Sequence, residues 1–160
     1  MKKQNTRAIA AAHPVDRSSG VSIGRRMRSG KAASKALTAQ GRIAAIRSGL
    51  RSRDFEKIAP MTGLSKSEWA NALQISTKTL ERYLKQHKTF EPLQSERILE
   101  IESLFEKGEE IFGSLDKFMQ WLNHESVAMG GVIPKELLDT SMGIGLVQDE
   151  LGRIDHGIFA

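Results

Sequence analysis

Apolar residues recur along this chain at three- and four-residue steps, the spacing of a helix face, and no segment shows the strict alternation of a strand. The signal is absent from residues 1–30, where large apolar side chains are sparse and Ser18-Ser19-Gly20 and Ser29-Gly30 interrupt any period. Residues 31–48 are richer in Ala and predict a helix anchored by Leu37, Ile43 and Ile46, with Gly49 as its stop. A short helix over 53–59 follows, with Ser52 as cap and Pro60 limiting its extension. The sharpest local signal is Ser65-Lys66-Ser67-Glu68, a capping box in which the hydroxyl caps a helix and the Glu three residues on reaches back. Trp69, Ala70 and Leu73 then share one apolar face. Gln74-Ile75-Ser76 reads as a tight break, and Ser76 caps a second helix with Leu80 and Leu84 facing inward. Two short helices joined by three or four residues have the dimensions of a helix-turn-helix.

Beyond it, Ile98, Ile101, Phe105, Gly108 and Phe112 mark a long helix from Pro92 to Phe112, ended by Gly113. This stripe exceeds what a lone hairpin needs to cover and predicts self-association of residues 92–160. Ser114 caps the next helix, with Leu115, Phe118, Met119 and Leu122 as its buried stripe and Asn123 as its stop. Gly130-Gly131 is a loop, and Pro134 opens a brief helix through Asp139. A last helix over 141–154 carries Ile144, Val147, Leu151 and Ile154 on one side, and Gly157 ends it. The expectation is an all-α protein: a basic N-terminal arm over 1–37, a helix-turn-helix domain over 38–90 and a small helical domain over 91–160.

Charge changes this picture. Residues 1–53 carry 13 Lys or Arg against the single acid Asp16, whereas residues 54–160 carry 11 against 18 acids. A basic arm on an acidic body fits a polyanionic partner at one end, and it also fits a solvated tail. The arm is Arg- and Ser-rich and poor in acid, a composition shared with organelle transit peptides, but it lacks the apolar core of a secretory signal. There is no Cys, which excludes disulfides, thiolate metal sites and a Cys nucleophile and fits a reducing cytoplasm. The longest apolar stretch, residues 127–133 with its glycines, is too short to span a bilayer.

The candidate chemistry lies in two places. The second helix of the hairpin can enter a major groove with Ser76, Thr77, Lys78, Thr79, Arg82 and Lys85 on its outer side. There Arg82 suits guanine, and the hydroxyls and lysines suit phosphate. Glu81 moderates the positive charge of that face. A plain helical hairpin with a solvated charged face would carry the same pattern. The second place is the ending Arg153-Ile154-Asp155-His156-Gly157-Ile158-Phe159-Ala160, whose apolar last residues need a pocket at home or in a partner. Catalysis is not expected. Met142-Gly143-Ile144-Gly145 has neither the preceding strand nor the third Gly of a nucleotide loop and reads as a closely packed helix start. His13, His87, His124 and His156 are too dispersed for zinc, and no nucleophile elbow is present. Trp69 and Trp121 read as core anchors. No cofactor or metal is expected.

Residues 38–160 resemble the Xre/MbcA/ParS antitoxin family. The resemblance is carried by Gly63-Leu64-Ser65 through Leu84, by Ala128-Met129-Gly130-Gly131 leading to Pro134-Lys135-Glu136-Leu137-Leu138-Asp139-Thr140, and by Leu151-Gly152-Arg153 through Ala160. It implies an Xre-like DNA-binding domain followed by a toxin-binding domain. It also implies a RES-domain toxin partner that consumes NAD or uses it for ADP-ribosylation, neutralised by direct contact, and autorepression at operator DNA. A homodimer within a larger toxin–antitoxin complex is expected because helix-turn-helix proteins often read two half-sites as a symmetric pair. Toxin contact is expected at Arg153, His156, Gly157, Ile158, Phe159 and Ala160, the chain end blocking the toxin's active site with its aromatic ring and carboxylate. A stand-alone helix-turn-helix regulator whose C-terminal helices only dimerise is the alternative, and a small enzyme with a non-obvious site is a third reading.

Overall fold

The structure is a computed structural model that describes residues 38–157. The basic arm, Leu37 and the apolar tripeptide Ile158-Phe159-Ala160 lie outside the described residues. Within them the fold is all-α. Seven α-helices are found among the described residues: α1 (Ala39–Ser48), α2 (Ser52–Thr62), α3 (Lys66–Ala72), α4 (Thr77–Lys85), α5 (Pro92–Phe112), α6 (Leu115–Leu122) and α7 (Ser141–Asp155). A 3₁₀ turn at Val127–Met129 and a 3₁₀ helix at Pro134–Asp139 lie between α6 and α7.

Helix ends follow the local chemistry. The Ser65 hydroxyl accepts from the Glu68 amide at 3.2 Å while the Glu68 carboxylate accepts from the Ser65 amide at 2.7 Å, completing the capping box. Ser76, Ser114 and Thr140 cap α4, α6 and α7 with the hydroxyl alone, each accepting from the amide three residues on. Gly63 and Gly113 stop α2 and α5 in the left-handed region, which glycine enters without steric cost.

Two expectations are corrected. α2 starts at Ser52 with Arg51 as its N-cap, and Pro60 lies inside it. A proline removes one amide donor and strains the preceding turn, but α2 needs only two more residues before Gly63 ends it. Ser52 is instead buried, its amide donating to the Lys88 carbonyl at 2.9 Å. Ile43 is not an anchor, being 47% exposed, whereas Ile46 does pack on the core.

α5 is the spine on which both halves are built. It packs on α1 and α2 of the first half and on α6 and α7 of the second. Ser95 joins it to the chain around the hairpin: its hydroxyl accepts from the buried Leu50 amide at 2.8 Å and is placed to donate to the Glu91 carbonyl at 2.9 Å. Phe55, Trp69, Phe90 and Tyr83 form one aromatic cluster with ring centroids 5.0–5.3 Å apart, beneath the hairpin. Phe105, Phe112, Phe118 and Trp121 form another under α6, at 5.2–6.0 Å. The stripe Ile98, Ile101 and Phe105 is fully enclosed by these packings. These three residues are spent within one chain, and Phe112 at the end of the stripe is half-buried against the core.

Gly108 and Gly143 make the second half compact. A Cβ at Gly108 would fall 2.5 Å from the Phe118 ring, and one at Gly143 would run into the Leu137 carbonyl. The Gly143-containing motif is thus a helix start seated tightly on the Pro134–Asp139 segment, as its spacing predicts.

Candidate functional site: a polar helix face and an apolar groove

α3 and α4 form the hairpin. Leu73 and Leu80 are buried, Leu84 is half-buried against the core, and Gln74 makes the sharp turn at φ 54°. Because Leu80 turns inward, Thr77, Lys78, Arg82 and Lys85 are left on the solvent side, all exposed. Lys78, Arg82 and Lys85 stand at i, i+4 and i+7, one stripe of positive charge. They border a shallow hollow of about 330 Å³ that Ser76, Thr79 and Glu81 also line.

Ser76 and Thr79 are more committed than the sequence suggests. The Ser76 hydroxyl accepts from the Thr79 amide at 3.0 Å, and the two hydroxyls share a hydrogen bond of 2.9 Å. They hold the cap of α4 before they can hold anything else. Glu81 pairs with Lys66 of α3 at 3.0 Å. The acid is thereby matched locally, and the pair bridges the two helices of the hairpin.

The second place lies beside α7. Ala128, Met129, Val132, Leu137 and Leu146 form an apolar groove of about 260 Å³, rimmed by Asp149, Glu150 and Arg153. Leu146 is 53% exposed, and Val127, which precedes Ala128 in the chain, is 90% exposed. The sequence held two signals for this groove. Residues 127–133 are its longest apolar stretch, too short for a membrane and on no helix stripe. Leu146 lies off the face made by Ile144, Val147 and Leu151, all three fully buried. An apolar residue on the wrong side of an amphipathic helix marks a surface rather than a core.

Arg153 is at the end of that groove, half exposed and 3.4 Å from the buried Glu150. His156 and Gly157 follow at the exposed end of α7, where the His156 amide donates to Gly152 and Gly157 takes φ 69°. Arg153, His156 and Gly157 are thus brought together within one turn. The chain end that should complete this set is outside the described residues. Among the described residues no cluster of three His, Asp or Glu is placed to hold a metal ion, and no helix is long and apolar enough to cross a membrane.

Comparison with known proteins agrees with this division. Residues 41–102 match the Antitoxin Xre-like helix-turn-helix domain, and residues 107–157 match the Antitoxin Xre/MbcA/ParS C-terminal toxin-binding domain. α5 runs through both matched ranges. The chain is 28% identical to a Prs ADP-ribosylating antitoxin of Sphingobium sp. (strain YBL2), over 74% of this chain and 80% of that protein. It is 27% identical to an Antitoxin Xre of Yersinia enterocolitica serotype O:8 / biotype 1B, with the same coverage. It is 28% identical to an Antitoxin Xre of Photorhabdus laumondii subsp. laumondii, over 72% of this chain and 78% of that protein. Two adjoining domain matches in the order of the observed halves, with relatives aligned across both, lead to one conclusion: the chain belongs to the Xre/MbcA/ParS family of antitoxins.

Proposed function

We propose that this antitoxin neutralises a RES-domain, NAD-consuming toxin by direct binding and represses its own operon through α4. The segment formed by Arg153, His156, Gly157, Ile158, Phe159 and Ala160 enters the toxin's active site and blocks it. The observation that carries this reading is the exposed end of α7, beside an apolar groove, within the range that matches a toxin-binding domain. A toxin that handles NAD must hold phosphates and flat rings and therefore offers cationic groups and a slot for a ring; a chain end with a carboxylate and an aromatic ring can fill both, with Arg153 pairing with an acid at the rim. The name of the Sphingobium relative supports this chemistry, since ADP-ribosylation draws its ADP-ribose from NAD. DNA recognition rests on Thr77, Lys78, Arg82 and Lys85, with the basic arm adding sequence-independent phosphate contacts. Two chains reading two half-sites complete the proposal, through a surface other than the enclosed α5 stripe.

Deleting residues 153–160 tests occlusion. The truncated protein, verified as helical by circular dichroism, should still bind its promoter but fail to protect cells from the toxin. Retained protection at equal expression would exclude occlusion by the chain end. Arg82→Ala should weaken binding at a specific site by about 1–3 kcal/mol, whereas removing residues 1–36 should weaken binding to all duplexes and flatten the salt dependence.

A further inference from the structure

The apolar groove is built against the stripe of α7 on which that helix ends. Leu146, Asp149, Glu150 and Arg153 line it from positions i, i+3, i+4 and i+7, and His156 and Gly157 continue the same stripe at i+10 and i+11. Chain leaving α7 therefore starts at the groove's own end. Gly157 sets its direction. At φ 69° its amide donates to the Ile154 carbonyl at 3.0 Å, the inner bond of a Schellman turn. Such a turn leads the chain back and sets the apolar residue after the glycine, here Ile158, against the last turn of the helix it has just left.

Length and chemistry both match. From Arg153 to Leu146 the groove follows seven residues of helix, about 10 Å at 1.5 Å per residue. Three residues in extended form also cover about 10 Å. The groove holds about 260 Å³. A cavity of about 150 Å³ accepts a benzene ring, so a phenyl group enters with room for a second small side chain. The groove is walled by Ala128, Met129, Val132, Leu137 and Leu146, and charge sits only at its rim. The three residues after Gly157 are all apolar. Left apart, groove and tripeptide are two sticky surfaces; together, each covers the other.

The geometry points to the groove as the seat of the chain's own Ile158-Phe159-Ala160: in the free antitoxin the Phe159 ring lies over Leu146 and Val132, and a toxin must draw this segment out before it can bind it. The docking itself needs no toxin; only the exchange rests on the function proposed above. One apolar segment then has two alternative seats, at home and in the partner. Docking at home competes with occlusion, so toxin affinity is lowered by the fraction of chains whose segment is free. A segment docked nine times in ten weakens toxin binding about tenfold.

The test uses the methyl-labelled full chain without toxin. Nuclear Overhauser effects should connect the Phe159 ring to the Leu146 and Val132 methyls. Phe159→Ala should shift those methyls and leave the methyls of Ile144 and Val147, on the buried face of α7, in place. The variant should then accept in trans a peptide of residues 155–160, which moves the Leu146 methyls back toward their positions in the unaltered chain. A short tether gives a millimolar effective concentration, so the unaltered chain should bind this peptide at least about tenfold more weakly than the variant. Equal peptide binding by the two chains, or Leu146 methyls indifferent to Phe159→Ala, overturns the docking. Overhauser effects between differently labelled chains, growing with protein concentration, assign the groove to a second copy and overturn it as well. Failure here leaves occlusion of the toxin standing, because deletion of residues 153–160 tests that separately in cells.

Discussion

Both halves cap helices with hydroxyls, but the hairpin adds a carboxylate box and a buried hydroxyl tie, whereas α5 and α7 seat glycines against a ring and a carbonyl of the second half. The first half contains the Ser65–Glu68 box, the Ser76 cap and the buried Ser95 hydroxyl with its backbone partners. The second contains Gly108 beneath the Phe118 ring and Gly143 against the Leu137 carbonyl. Their surfaces differ in the same sense, one a stripe of Lys78, Arg82 and Lys85, the other a groove floored by Met129, Val132 and Leu146. Under the proposed function the first surface meets DNA, which calls for charge and fixed helix ends, and the second meets the toxin, which calls for apolar surface; glycine contacts allow α7 and the 3₁₀ helix to approach closely enough to form the groove's walls. Removing a polar atom should tell most at Ser95 in the first half, and adding a carbon at Gly143 in the second.

The largest effects belong to the second half. Gly143→Val places side-chain carbons where the Leu137 carbonyl lies and forces backbone apart, at a cost of up to about 3 kcal/mol. Toxin binding should fall more than stability alone accounts for, since the displaced helix lines the groove. Chemical denaturation together with toxin pull-down checks this, and a valine tolerated without loss would remove the glycine argument. In the first half, Ser95→Ala leaves the buried Leu50 amide without its acceptor, at about 2 kcal/mol. Because α5 serves both halves, a single unfolding transition is expected for both variants; two resolved transitions would mean that the halves fold apart. Ser76→Ala should cost about 1 kcal/mol by uncapping α4. It should also weaken DNA binding with little effect on toxin binding, which a parallel titration of both partners reads out.

The first half was largely legible in the sequence because its devices are local. The capping box, the Ser76 cap and the inward Leu80 each follow from residues three or four apart. The exception is Ser52: its hydroxyl caps nothing, and its backbone amide donates to the Lys88 carbonyl 36 positions away. Pro60 misleads for a related reason, since how far a helix runs past a proline depends on where Gly63 sits and what α2 packs on. Helix positions in the second half were legible, but the use of their faces was not. The α5 stripe looks free for a partner until α6 and α7 are laid on it. Leu137 packs partly on the core and also lines the groove, whereas Leu146, off the buried face of α7, is the residue that marks this surface in the sequence. The hydrogen bond from the Gln74 side chain to Asp139, which ties the two halves, left no sequence trace, because its acceptor is a backbone carbonyl.

The smallest effect lies where the halves meet. Burial alone would raise the Glu68 carboxyl, but the hydrogen bond from Lys135, those from the Ser65 backbone and hydroxyl, and the Lys135 charge outweigh it and hold the group below its ordinary value of 4.5. A carboxyl depressed on folding contributes stability that is fully present above the unfolded value and is lost as pH falls through the folded one. Glu68→Gln isolates the charge, because glutamine still serves the capping box at the third helical position. At pH 7 the variant should be less stable by a fraction of 1 kcal/mol, the usual worth of an ion pair that remains partly exposed. The gap should begin to narrow near pH 4.5 and close at lower pH, where the wild-type carboxyl also loses its charge. High salt at pH 7 should narrow it as well. Denaturant titrations of both chains across this range decide the matter: a gap independent of pH and salt would assign the role of Glu68 to the cap alone, leaving the two halves joined by packing and by Gln74.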